Sequence, residues 1–342
     1  MPPKIDRLTI SLVMMTVLLL LAIFVGPLLW IYVNSVFFGK QEILNVAKSI
    51  TTNKNDPTSI LESIADWEKE NMVYDTRSVY FYPIPPLLMW RISHPNPTWV
   101  MSIKRGGCEE FAILFAEIAR SAGIQSRVVY NPGEDHTWCE VLINGTWVHF
   151  DPTLSKGKRF NDPRIYERPR NESGWGKQLS YVFSVDPLEG NKVDVTRRYT
   201  DTGKLIVEVR KNDLPVEDAR VIIKSRFLME TSPKYKQPLY CLEKTTNKSG
   251  ICTFELGGNN YTVIAELGKI FGYKAEKLVH LEENSSVYVT INLEQFSLLI
   301  PLEYILSIVL VFVAFLLLMI KIILRVKDSI KRKLTKKCEV NV

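Results

Sequence analysis

The sequence is sparing in the residues that build metal centres. It holds 5 Cys and 4 His in 342 residues. No two cysteines stand in a C-x-x-C pair, so no structural zinc of that kind is expected, and no cofactor is expected either. Charged residues make up 23%, too ordinary a fraction for a disordered chain. No repeat of about 20–50 residues marks a solenoid, and the length suggests about two domains. Charge is missing altogether from two long stretches, Leu8 to Gly39 and Tyr304 to Ile320.

Lys+Arg 43 against Asp+Glu 37 leave +6 at pH 7, and the surplus is concentrated at one end. After Ile320 come Lys321, Arg325, Lys327, Lys331, Arg332, Lys333, Lys336 and Lys337, opposed only by Asp328 and Glu339. The rest of the chain is close to neutral, so a nucleic-acid partner is not expected, and the tail reads as a topology signal beside anionic lipid. A bilayer core takes about 20 apolar residues in helix. The uncharged stretches therefore predict two transmembrane helices, over 8–34 and 298–321. The first is too long for the ~7–15-residue core of a cleaved signal peptide. Basic residues stay on the cytoplasmic side. The expectation is a multi-pass cell-membrane protein, held in lipid by two helices, with cytoplasmic segments at 1–7 and 322–342 and an extracytoplasmic region between them. Five N-x-S/T sequons, at Asn144, Asn171, Asn247, Asn260 and Asn284, suit that orientation.

Between the two stretches, Asp56-Pro57 reads as an N-cap and first-turn proline, and Ile60, Leu61, Ile64, Ala65, Trp67 and Met72 recur at helical spacing. A connector rich in proline and aromatics runs from Tyr80 to Trp99. From Lys204 to Leu293, seven short β-branched runs alternate with turn signals such as Asn247-Lys248-Ser249-Gly250, the pattern of a β-sandwich. Cys241 and Cys252 lie on either side of that turn, and a disulfide between them would need a shifted register.

The chemistry falls between these regions. Gly106-Gly107-Cys108-Glu109-Glu110-Phe111 opens a helix whose apolar face continues through Phe115, Ala116 and Ala119. Cys108 thus sits at a helix start, where free amides and the dipole favour a thiolate and offer part of an oxyanion hole. His136-Thr137-Trp138-Cys139-Glu140-Val141 and Trp147-Val148-His149-Phe150-Asp151 read as a hairpin about Asn144-Gly145. Counting out from that turn sets residue 136 opposite about 153, so Asp151 is a near-diagonal neighbour of His136. A carboxylate there orients an imidazole that can take a thiol proton. His149 is the main rival base; His94 lies in the connector and His280 in the sandwich. Cys139 points away from Trp138 and reads as structural, unless a disulfide with Cys108 silences the site.

The spacing H-x-W-x-E-V followed by G-x-W-x-x-x-D-P-T, here His136 to Thr153, resembles the transglutaminase-like superfamily, a papain-related core with triad order Cys, His, Asp. Arg105-Gly106-Gly107-Cys108-Glu109-Glu110-Phe111, Gly174 to Tyr181 and Val193 to Tyr199 are further similar to its peptide:N-glycanase branch, without that branch's zinc cysteines. The resemblance implies Cys108 as nucleophile, His136 as general base and then acid, and Asp151 as the orienting carboxylate. Trp99 is the positional candidate for an oxyanion or substrate-shaping role, and Trp138 for shaping the site.

The expected architecture is α+β. A transglutaminase-like domain over 41–200, with a helical N-terminal part, precedes an all-β immunoglobulin-like sandwich over 204–293, and two transmembrane helices flank them. The expected activity is hydrolysis of amide bonds in peptides or proteins. The alternatives are peptide:N-glycanase-like release of N-glycans from surface glycoproteins, and a catalytically inactive binding or assembly module.

Overall fold

The computed structural model describes residues 33–75, 96–169, 178–185, 190–269 and 271–298, with scattered positions elsewhere. The connector around His94, the segment from 170 to 175 and the basic tail lie outside the described residues.

Helices come first. α1 (Gly39–Thr51) buries Ile43, Ala47 and Ile50 along one stripe. α2 (Pro57–Asn71) starts where the Asp56 carboxylate accepts the Ser59 N–H at 2.8 Å, with Pro57 in the first turn. α3 (Pro97–Ile103) repeats the device with Asn96 and Pro97. Short β1 (Val73–Tyr74) and β2 (Arg105–Gly106) pair in parallel and hand the chain to α4 (Cys108–Ser121). α4 is the hub of the first domain: Phe111, Ala112, Leu114, Phe115, Ala116, Ile118 and Ala119 are all buried, as a helix enclosed by α1–α3 on one side and a sheet on the other must be.

That sheet has five antiparallel strands in the order β5-β4-β3-β6-β7: β3 (Ser126–Asn131), β4 (His136–Ile143), β5 (Thr146–Phe150), β6 (Phe183–Val185) and β7 (Lys192–Asp194). Both faces are covered, and strand alternation decides what faces what. Cys139, Val141 and Phe150 join the α4 side, where Phe115 stacks on Phe150 at 4.6 Å between centroids. Trp138 faces the other way, into a second apolar layer with Val129, Tyr166, Leu179 and Tyr199. The Asn144-Gly145 turn, both residues at positive φ, sets a register in which Cys139 faces Phe150 and Glu140 faces His149.

The short α5 (Thr196–Tyr199) leads into a two-layer sandwich. Its strands are β8 (Thr202–Lys211), β9 (Leu214–Pro215), β10 (Arg220–Ser225), β11 (Leu239–Thr245), β12 (Ile251–Gly257), β13 (Asn259–Gly268), β14 (Phe271–Leu281), β15 (Ser286–Asn292) and β16 (Phe296–Leu298), with α6 (Phe227–Thr231) between β10 and β11. One sheet runs β11-β10-β13-β14-β16 and the other β12-β8-β15, with β8 and β15 parallel. Phe254, Leu205, Val207, Ile223, Tyr261 and Val263 fill the space between them. The Asn247–Gly250 turn joins β11 in one sheet to β12 in the other. It is an arch between layers, and Cys241 and Cys252 are both free thiols.

The membrane architecture expected from the sequence is corrected. Among the described residues no helix is long and apolar enough to cross a membrane. The transmembrane helices at 8–34 and 298–321, the lipid partnership and the multi-pass localisation are therefore not supported, although most of both segments lies outside the described residues. Just past the end of the first expected span the chain meets protein. Ser35 Oγ meets Thr98 Oγ1 at 3.0 Å and a Cβ on Gly39 would lie 2.7 Å from the Thr98 side chain, so these two residues pack on α3 while Val36, Phe37 and Phe38 between them are exposed. α1 then turns one apolar stripe inward and Lys40, Gln41 and Asn45 outward. At the other boundary, Phe296–Leu298 is a strand paired to β14.

Candidate active site

The segment before Cys108 is shaped by one glycine and one carboxylate. Glu110 Oε2 accepts the Gly107 N–H at 2.8 Å, closing the first turn of α4. The Glu110 side chain lies where a Cβ on Gly106 would stand. Gly106 and Glu110 are therefore a matched pair that fixes how the chain delivers Cys108, which is the first residue of α4 and partly exposed. α4 is pinned across β4 by the Cys139 thiol, whose Sγ donates to the Ala112 carbonyl at 3.1 Å. Cys139 is buried, and burial pushes its thiol well above the ordinary value. It packs as a small core side chain.

His136 opens β4, directly after a left-handed Asp135 at φ 54. Its Nε2 lies 2.8 Å from Asp151 Oδ2, and both side chains are almost fully buried. A carboxylate only accepts, so Nε2 carries a proton towards Asp151 and Nδ1 is the nitrogen at which the imidazole gains or loses one. Asp151 is well supplied with donors. Its Oδ1 takes the Thr153 N–H at 2.9 Å and the Thr153 hydroxyl at 2.6 Å, and Oδ2 also takes the Tyr166 hydroxyl at 2.8 Å. Burial alone would raise this carboxyl; the charge and hydrogen bond of His136 and the bond from Thr153 outweigh it and hold the group below the usual carboxylate range.

His149, the rival base, lies behind this pair. Its Nε2–H donates to the Tyr166 oxygen at 2.8 Å, completing a line His149–Tyr166–Asp151–His136. Burial lowers His149 to about 4, which keeps it neutral. Trp138 is fully buried at the centre of the same layer, 5.5 Å from the His136 ring and 4.5 Å from Tyr166 between centroids. Trp99 is half-buried on α3, and among the described residues no ring contact or hydrogen bond joins it to Cys108, His136 or Asp151. Burial, then the charges of Cys108, Asp151 and Asp135, raise the Tyr74 phenol. Glu109 stands beside them; burial, then repulsion from Glu110 and Asp135, pushes its carboxyl up to about 7. Among the described residues no group of three or more His, Cys, Asp and Glu is placed to hold a metal ion.

Glu140, the acid of the H-x-W-x-E element, has a structural part. It is buried and accepts Arg127 Nε at 2.7 Å, Arg198 at 2.7 Å and the Tyr199 hydroxyl at 2.9 Å. Residues 193–199 and the H-x-W-x-E element thus meet at one carboxylate. Sequence reasoning missed Tyr166 and Glu134. Tyr166 sits in a short 3₁₀ turn, Ile165–Glu167, with no periodic pattern to signal it. Glu134 is buried and bonds to Ser180, to Ser225 at 2.6 Å and to Asn259 at 3.4 Å, joining the first domain to the sandwich two residues before His136.

The family model of the transglutaminase-like superfamily matches residues 44–152. Among curated proteins, a peptide-N(4)-(N-acetyl-beta-glucosaminyl)asparagine amidase of Yarrowia lipolytica is 35% identical over 147 residues, 41% of this chain and 37% of that protein. The protein of the same name from Eremothecium gossypii is 38% identical over 112 residues, 32% of this chain and 29% of its own length. The chain therefore spans 37% and 29% of the length of these two relatives. Among solved structures, the shaft pilin SpaA of Lactobacillus rhamnosus GG is similar over 28% of this chain and 50% of its own, at 16% identity and a TM-score of 0.23, too low to carry an argument.

Proposed function

Residues 44–152 are a transglutaminase-like domain close to the peptide:N-glycanase branch, and on that premise we propose that the chain is a cysteine amidase with Cys108 as its nucleophile. The observation that carries the reading is the sealed His136–Asp151 pair, bonded at 2.8 Å, at the start of a strand that packs on the Cys108 helix. Asp151 fixes the Nε2–H tautomer, so Nδ1 is the base. In the proposed reaction the Cys108 proton passes to Nδ1 and the thiolate sulfur bonds to the amide carbon. The oxyanion is held by amide N–H groups at the start of α4. The C–N bond then breaks as His136 returns the proton to the departing nitrogen, leaving a thioacyl enzyme. Water, deprotonated by His136, adds to that carbonyl and expels the thiolate.

A finer reading is favoured by the named activity of the relatives: the amide is the side chain of a glycosylated asparagine. Incubating the full chain with a glycopeptide and its unglycosylated counterpart, read by mass, tests both readings. Release of the glycan with asparagine turned to aspartate supports the finer one, and backbone cleavage supports general amide hydrolysis. No product in either incubation beyond that of a Cys108→Ala control would return the chain to the class of inactive binding modules.

A further inference from the structure

The loop between β10 and β11 leaves the sandwich and reaches the first domain. It begins with α6, and Pro233 and Pro238 bracket it. The Tyr235 N–H bonds the Ser232 carbonyl at 3.2 Å. Prolines at compatible positions reduce the freedom a loop must lose, so this segment is held in one shape. At its tip the Tyr235 hydroxyl donates to Asp135 Oδ2. Asp135 is the residue before His136 and holds a left-handed backbone, which Asp and Asn adopt more readily than other non-glycine residues.

The seat beneath the loop is tight. Gly133 is so close to the sandwich that an added Cβ would stand 2.8 Å from Cys241 Sγ, and the buried Glu134 carboxylate bonds Ser225 and Asn259 of β10 and β13. The bond to Asp135 sets Tyr235 beside the residue that precedes His136; burial and that bond, then the charges of Asp135, Cys108 and Tyr74, raise the phenol.

We propose that Tyr235 is a specificity-determining residue supplied by the sandwich, its ring forming a wall of the Cys108 cleft against which the group flanking the scissile amide packs. The inference rests on the amidase reading. With the hydroxyl engaged by Asp135 and the Lys234 ammonium 5.0 Å from the centroid over one face, the opposite face and the edge are what remain for a substrate, and an aromatic surface offers large contact area with few rotors to freeze. The sandwich is then part of the catalytic unit, and its junction through Glu134 keeps the wall in register with His136.

Two electrophiles separate this role from a structural one. The full chain, Tyr235→Ala and Tyr235→Phe are alkylated with iodoacetamide and with a peptide bearing a chloroacetamide, and modification of Cys108 is followed by mass. Iodoacetamide is too small to use the wall. Tyr235→Ala is expected to leave its rate within about twofold while weakening saturation by the peptide probe about tenfold, a loss of ground-state binding. Tyr235→Phe, which keeps the ring, is expected to stay close to the parent with both probes. If Tyr235→Ala slows both electrophiles together, or changes neither, the proposal is overturned. A parent chain whose Cys108 resists both reagents overturns the amidase reading itself, and this inference with it.

Discussion

Tyr166 donates its hydroxyl proton to the same Asp151 oxygen that holds His136, at 2.8 Å. The phenol sits in a 3₁₀ turn outside the motif-bearing hairpin, yet it decides how two histidines are used. It accepts from His149 and gives to Asp151, so His149 is tied up as a neutral donor, while His136 receives the carboxylate. Two imidazoles of similar sequence standing are thereby sorted into a buried brace and a candidate base.

Tyr166→Phe tests that sorting. The change leaves the His149 N–H buried without its acceptor, which costs about 1–3 kcal/mol of stability, and takes one donor from Asp151. Turnover is expected to fall about tenfold, the equivalent of 1.36 kcal/mol in the barrier. A carboxyl held below its unfolded value stabilises the fold above that value, and the contribution is lost as pH falls through the folded one. With one donor fewer the folded value rises, so acid unfolding of Tyr166→Phe should begin at higher pH than in the parent. Thermal melts from pH 2 to 6 check this, and superimposable acid limbs would exclude the role.

Glu140 makes a different forecast, because it touches no reacting group. Two arginines and a tyrosine converge on a carboxylate with no solvent access. Removing one partner of a buried ion pair costs about 3–5 kcal/mol; since Arg198 is partly exposed, Glu140→Ala should fall at the lower end. The urea midpoint should drop with an unchanged slope. A midpoint equal to the parent's would mean that residues 193–199 and the H-x-W-x-E strand are held together by something else.

Glu68 sits in the core of the first domain with both carboxyl oxygens buried and, among the described residues, no hydrogen-bond partner. Burial pushes it well above its ordinary 4.5, against the smaller pull of Arg159. A group raised in the folded state stabilises below the unfolded value, and that advantage is lost as pH climbs towards the folded one. Glu68→Met fills similar volume without the polar atoms. Its melting temperature should gain on the parent's as pH rises above the ordinary 4.5 towards neutrality, the stability gap widening by about 1.36 kcal/mol for each pH unit until the buried acid ionises. A gap that stays constant across that range would remove Glu68 as its cause.

Much of the site was legible because it is built from short-range pattern. The Asn144-Gly145 turn fixes a register, and a register fixes which side chains share a face, so His136 and Asp151 meet as counting outward from the turn expects. Strand runs in the sandwich stand out by alternation in the same way. The features that were not legible depend on contacts distant in sequence. Tyr235 and Asp135 are 100 residues apart, and Glu134 and Asn259 125; each lies in a turn or at a strand end where no period marks it. Uncharged length misled for a related reason. Among the described residues no helix is long and apolar enough to cross a membrane, and at the end of the run Ser35 and Gly39 meet Thr98 of α3. Cys241 and Cys252 likewise looked like hairpin partners only because a turn between two sheets and a turn within one share the same residues.

The central claim is that Cys108 is a nucleophile made reactive by the His136–Asp151 pair and the start of α4. It is tested most directly by alkylating the full chain with iodoacetamide from pH 5 to 9 and reading the rate at Cys108 by mass. Half-maximal reactivity is expected at least a unit below the ~8.5 of a free thiol, with a return towards that value in His136→Ala. A Cys108 that reacts no faster than glutathione below pH 7, with His136→Ala indistinguishable from the parent, would contradict it.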